Sequence, residues 1–239
     1  MNQYKSSSQL KSLAKGQLLG KYPIVIGAFL LSQLMMFVLS SLSLLFVDTT
    51  TVAGSVIDFL ITFIVSLFGG IFSAGQAYIY LNISCGNTCQ ATDVFYGFKQ
   101  HPDKALLLQL VISGISTVSI LPCYFFMLIA NYTMDIVWIF PTCIALIIGG
   151  VIATYFSLAF SQVYYLLLDF PDYSVKQLLS LSMKIMKGHK ARLFYITISF
   201  LPLYLLALVS CGIGMLWVTP YVNATMTNFY LDLIRNRQA

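Results

Sequence analysis

Apolar residues along this chain come in long runs, and polar residues are largely confined to the gaps between them. Six runs approach or exceed the roughly 20 residues a helix needs to cross the hydrocarbon core of a bilayer: 22–47, 53–83, 105–130, 137–168, 191–209 and 212–233. The second and fourth are longer than a crossing requires and should project as helix beyond the bilayer. The last two are short and separated only by the region from Ser210 to Gly212. A five-span reading, with the C-terminus lying on the membrane, therefore stays open beside the six-span one. The pattern predicts an all-α, polytopic transmembrane helical bundle of about six spans in three helical hairpins, forming a single integral membrane domain over 1–239.

Between the runs lie amphipathic stretches, expected as interfacial helices on the cytoplasmic side. In 174–187, Lys176, Ser180, Lys184 and Lys187 share one face, and Val175, Leu178, Leu179, Leu181, Ile185 and Met186 the other. Ser174 and Gln177 have capping-box spacing, and Gly188 suits the helix end. In the N-terminal stretch Leu10, Leu13, Ala14 and Leu18 oppose Ser8, Lys11, Ser12 and Lys15, and a shorter version has Thr92 as cap before Val94, Phe95 and Phe98. Such helices lie in the membrane interface with lysines toward anionic headgroups. Lys176, Lys184, Lys187, Lys190 and Arg192 are the candidate anionic-lipid residues. Such a surface would sense lipid or dock a partner; it would equally serve as an anchor fixing each hairpin at the membrane face.

Charge sets the orientation. All 13 basic residues fall in the N-terminal tail, the 84–104 loop, the 169–192 loop or the C-terminal tail. The regions near 48–52, 131–136 and 210–212 contain none, and hold only Asp48 and Asp135, with Asp58 just inside the second span. The positive-inside rule places both termini in the cytoplasm. Composition agrees: only 9% of residues are charged and 59% are hydrophobic, against about a quarter charged in an average soluble domain. The net charge of +5 then belongs to the membrane face and not to nucleic acid. The run from Pro23 to Val47 is too long for a signal-peptide core and is read as an uncleaved span.

One unit recurs three times, giving possible repeats at 1–83, 84–168 and 169–239. Each has an amphipathic stretch, a lysine (Lys21, Lys104, Lys190), an outgoing helix and a returning helix. The returning helices end in Gln76 and Tyr78, Gln162 and Tyr164, and Asn228 and Tyr230. Lipid offers no hydrophobic drive between helices, so small residues mark helix contacts. Gly70 with Ala74, and Gly149 with Ala153, have this spacing, and the second and fourth spans are expected to pack together at the centre. Pro122, Pro202 and Pro220 interrupt helices, as packing kinks or as the frame of a cavity.

Candidate chemistry is sparse. There is no Glu, and the eight aspartates lie in loops or near span ends, Asp58 being the deepest. Asp58, Gln76, Gln162 and Asn228 are the candidate polar path; the amides would otherwise bond across helices. No paired intramembrane aspartates, His-Glu-x-x-His run, nucleophile elbow, Walker loop or dinucleotide fingerprint is present. Cys85 and Cys89 form half of a zinc pattern with no second half. No cofactor, metal or catalytic residue is expected.

Two motifs carry a resemblance. SMKIMKGHKARLF at 182–194, and GIGMLWVTPY at 212–221 followed by Asn228, Phe229 and Tyr230, resemble an uncharacterised family of polytopic membrane proteins of Gram-positive bacteria, catalogued as a domain of unknown function. That family is similar in hydropathy to the membrane domain of glycerophosphodiester phosphodiesterases. Leu121-Pro122-Cys123 stands where the family has a Pro-Gly pair. The resemblance implies a bacterial plasma-membrane location and no activity. The expected function is a non-enzymatic binding, transport-accessory or membrane-assembly component. Its expected partners are anionic lipid headgroups and, beside them, another membrane protein or a transporter subunit. A stand-alone transporter or channel for a small or lipid-like substrate is the alternative, and an enzyme on lipid-linked substrates ranks below it. In a cysteine-free background, single cysteines near Thr50 and Thr133 should react with an impermeant reagent on intact cells, whereas cysteines at Gln100 or Ser180 should not. Outside labelling at Ser180 would overturn the orientation.

Overall fold

The computed structural model describes residues 4–47 and 51–238, so Asp48 lies outside the described residues. Eleven α-helices and two 3-10 turns are present among the described residues, with no strand. Helix α1 (Ser7–Leu18) precedes the hairpin of α2 (Tyr22–Phe46) and α3 (Val52–Cys85). A 3-10 turn and the short α4 (Tyr96–Lys99) precede α5 (Pro102–Thr133), and α6 (Ile139–Phe160) returns into α7 (Val163–Asp169). Helix α8 (Val175–Ile185) precedes α9 (Lys190–Ile198) and α10 (Leu201–Val209), and α11 (Met215–Gln238) closes the chain.

Five segments are long and apolar enough to cross a membrane: Tyr22–Ser41, Ala53–Cys85, Pro102–Ala130, Ile136–Asp169 and Lys190–Val209. The sixth expected segment, 212–233, is not among them. It falls in α11, which is 24 residues long but buries Thr225, Thr227, Asn228 and Asp232. These polar groups are tolerable only where protein, and not lipid, surrounds them. Accordingly α11 packs against α1, α2, α3 and α10. Pro202 falls at the start of α10, so it marks a helix break, whereas Pro122 and Pro220 lie inside α5 and α11.

The four basic-bearing segments meet at one end of the bundle. The Lys5 backbone N–H donates to Asp232 (3.2 Å), the Gln17 amide exchanges hydrogen bonds with Asn228, and Lys104 Nζ donates to the Pro171 carbonyl (2.5 Å). Arg192 knots them together. One guanidinium nitrogen donates to Asp232 (2.6 Å) and to the Lys5 carbonyl (2.5 Å), and its plane lies near the rings of Tyr4 and Phe229. The hydrophobic core gathers near the same end, joining Leu10 of α1, Ile71 of α3, Leu166 of α7, Leu178 of α8, Phe200 and Phe229. Towards the opposite end the spans expose Phe37, Phe125, Ile147 and Leu206, as lipid-facing helices do.

The amphipathic helices form, but their apolar faces lie on protein. Leu10, Ala14 and Leu18 of α1, and Leu178, Ile185 and Met186 around α8, are buried. Full burial contributes about 1.5–3 kcal/mol per large aliphatic side chain, which favours docking over exposure at an interface. The capping box at Ser174 and Gln177 is formed. In the 84–104 loop the cap is Gln90 with Asp93, whose carboxylate accepts from the Gln90 N–H at 2.7 Å, and not Thr92. This turn seats on α3 at Gly75, where an added Cβ would lie 1.8 Å from the Val94 carbonyl oxygen. Two of the candidate lipid residues are committed elsewhere: Arg192 to the knot, and Lys190, whose ammonium sits 3.5 Å from the Tyr155 ring centre.

Gly70 and Gly149 mark close helix approaches, with α5 as the helix they chiefly admit. Gly70 faces Gln109 and Ala105 of α5, and Gly149 faces the Ser119 carbonyl of α5. Each glycine admits α5, so α3 and α6 are both apposed to α5, and α3 meets the fourth span through α7. The reason is spatial: α5 lies between the two glycine-bearing helices. Removing Asp232 would strand the Arg192 guanidinium, which is 21% exposed, beside a mostly buried site. Asp232→Ala should therefore lower stability by about 3 kcal/mol, the low end for a broken buried pair, read as a fall in thermal midpoint of the purified protein.

Candidate binding chamber

The strongest concentration of polar chemistry lies within the bundle, where the three hairpins converge. Gln76 projects from α3 and Asn223 from α11. The Gln76 amide N–H donates to the Ser32 hydroxyl of α2 (2.9 Å), and its oxygen accepts from Asn223 (3.3 Å). Thr227, one turn from Asn223, donates to the Tyr165 hydroxyl (3.1 Å), and the neighbouring Tyr164 hydroxyl donates to Gln109 of α5 (2.6 Å). These groups surround a chamber of about 160 Å³ lined by Ser73, Gln76, Ala77, Tyr80, Ser161, Tyr164, Tyr165 and Asn223. One water needs about 10–15 Å³ of such space, so the chamber has room for a small organic group.

No charged side chain lines it. Amides and hydroxyls both donate and accept, so the wall suits an uncharged hydrogen-bonding guest; a bare charge there would be desolvated without a counter-charge. Behind the wall, Gln162 is 1% exposed and donates to the Ser161 hydroxyl (2.8 Å), while its carbonyl oxygen has no partner. Buried acceptors in that condition are uncommon.

Two further cavities adjoin. A groove of about 500 Å³ runs between α5, α6, α9 and α11 and shares Ser161 with the chamber. Another, of about 350 Å³ between α3 and α5, is lined by Gln109 and by Ser116, which also lines the first groove. The chamber and the two grooves thus border one another at single residues, Ser161 in one case and Ser116 in the other.

Of the four candidate path residues, Gln76 lies in the chamber and Gln162 directly behind it. Asn228 bonds Gln17 and the Ala224 carbonyl, as a link between α1 and α11. Asp58 is near the other end of α3, 18 residues from Gln76, a separation of about 27 Å at 1.5 Å per residue. It does not join the others. Ser32, Tyr80, Ser161, Tyr165 and Asn223 were not singled out in the sequence; the spacing of Asn223 and Thr227 on one helix face was the available signal. Among the described residues no group of three or more His, Cys, Asp or Glu side chains is placed to hold a metal. Outside the spans, His189 abuts Tyr4 at 4.6 Å between ring centres. Its pKa is lowered, first by burial and then by the Arg192 charge.

Fold and site together define a helical bundle with five membrane-length apolar helices and an uncharged polar interior. The chain belongs to the family described as "Protein of unknown function (DUF975)", which matches residues 1–237. No curated protein and no solved structure matches it.

The Tyr164–Gln109 bond should be measurable directly. A double-mutant cycle of Tyr164→Phe and Gln109→Leu should give a coupling of about 0.6–1.7 kcal/mol, the range for hydrogen bonds between membrane helices. Additive effects on thermal unfolding would show that this contact does not hold α5 to α7.

Proposed function

We propose that this protein is a non-enzymatic integral membrane protein that binds a small uncharged hydrogen-bonding group in the chamber between its hairpins. The single supporting observation is the chamber wall itself, which combines amides and hydroxyls contributed by α3, α7 and α11 with no charged side chain. A general acid or base needs a group whose pKa can be tuned towards the working pH. The wall holds no His, Cys, Lys or carboxylate, and its Tyr164 and Tyr165 hydroxyls are engaged with Gln109 and Thr227, which supports binding over turnover. On this reading the basic-bearing end faces the cytoplasm of a bacterial plasma membrane, in keeping with the alternation of lysine-bearing and lysine-free loops. The outward lysines Lys176 and Lys184 of α8 line a surface hollow with Ser180, a suitable contact for anionic headgroups or for a membrane-protein partner. A role as a transport-accessory or assembly component follows if the bound group is handed to such a partner.

The test is hydrogen–deuterium exchange on the protein in phosphatidylcholine nanodiscs, with neutral polyols and amides compared against phosphate and ammonium. Protection of 73–80 and 221–227 by a neutral solute alone, lost in Asn223→Leu, is the expected result. Equal protection by the charged solutes, or none in any case, would refute the reading. Turnover of a solute or lipid by the purified protein would refute the non-enzymatic part of it.

A further inference from the structure

The groove beside the chamber bears on where the bound group comes from. It is bounded by α5, α6, α9 and α11 and has a mostly apolar wall. A line of hydroxyls, Ser116, Thr154, Ser157 and Thr197, runs along it to Ser161, the residue it shares with the chamber. Phe194, which lines it, is 46% exposed, and Ile198 of the same helix is 49% exposed, on a segment apolar enough to lie in lipid. Ala153 leaves the floor of the groove open. The neighbouring small residue, Gly149, is used to seat α6 on α5, so the pair creates close packing at one turn and free space at the next.

A free polar solute has no use for a long apolar trough opening sideways. An amphiphile has use for both parts, since apolar surface is favourably matched to its chain while the amides receive its head. Resting on the binding reading above, we propose that the chamber receives the uncharged, hydroxyl-bearing head of a membrane amphiphile, which enters laterally from the bilayer along the groove between α6 and α9. The chain stays in the groove, with the head hydrogen-bonded at Ser161, Gln76 and Asn223. The unpartnered carbonyl oxygen of Gln162 is a second, independent sign of an unmet acceptor in this region. The Gln162 amide N–H donates at 2.8 Å to the hydroxyl of Ser161, the residue shared by groove and chamber.

The experiment places the full-length protein in phosphatidylcholine nanodiscs with a diacylglycerol bearing a photoreactive diazirine beside its free hydroxyl. A phosphatidic acid with the same diazirine, and a free diazirine-bearing glycerol, serve as the other arms. Cross-linked sites are mapped by mass spectrometry. The diacylglycerol should label 154–165 and 221–227 saturably, and unlabelled diacylglycerol should compete. Phosphatidic acid should label these sites about tenfold less, as expected when one or two hydrogen bonds are exchanged for an unpaired buried charge. Ala153→Phe or Ser157→Leu, either of which fills the groove, should abolish labelling by the lipid and leave labelling by free glycerol intact. The glycerol arm also reports that each variant is folded. Chamber labelling by glycerol but not by the lipid would overturn lateral entry and leave the binding reading standing. Labelling by neither would overturn both. Equal labelling by phosphatidic acid, or lipid labelling unaffected by both variants, would overturn the proposal as stated.

Discussion

A helix that carries Asn223, Thr225, Thr227, Asn228 and Asp232 cannot present those residues to hydrocarbon, and the bundle is arranged around that constraint. Each group has a partner on another helix or on its own turn: Asn223 with Gln76, Thr227 with Tyr165, Asn228 with Gln17, Asp232 with Arg192 and the Lys5 amide. Satisfying α11 therefore draws α1, α3, α7 and α9 inward. It also explains why α1 is docked in protein. Its Gln17 is an obligatory partner of a buried amide, and its leucines follow that amide into the core.

The interior separates two kinds of polar chemistry. At the basic end, full charges meet in the Arg192–Asp232 knot, where stacking rings and a backbone carbonyl supplement the ion pair. Deeper in the bundle, only neutral groups remain. That division follows from the cost of desolvation, which is tolerable for a paired charge near an edge and much higher for a lone one in the middle. A bare charge entering the chamber would meet that cost with no repelling residue in the wall.

Helix class, hairpin order and the clustering of basic segments could be read from hydropathy and from lysine placement, because lipid imposes those patterns residue by residue. Gln76 and Gln162 could be read as candidates because an amide in an apolar run is conspicuous. Ser161, Tyr165 and Asn223 could not, because hydroxyls are common in membrane helices and only three-dimensional convergence distinguishes these from others. Lys190 and Arg192 illustrate the opposite difficulty. A basic residue after an amphipathic helix has the same one-dimensional signature whether it meets a headgroup, an aromatic ring or a buried aspartate. The glycines mark close approaches correctly, but the partner helix, α5, carries no matching signature at Ala105 or Ser119.

The knot and the core share one end of a set of long helices, and this gives the molecule the mechanics of a lever. Helix α5 has 32 residues, or about 48 Å at 1.5 Å per residue. A tilt of about 5° at its tied end would carry the far tip about 4 Å over that length, close to the width of one hydrocarbon chain. Ångström-scale adjustments where Lys104 ties the start of α5 to the Pro171 carbonyl would be magnified along this arm into shifts of profile that a surrounding bilayer would have to accommodate.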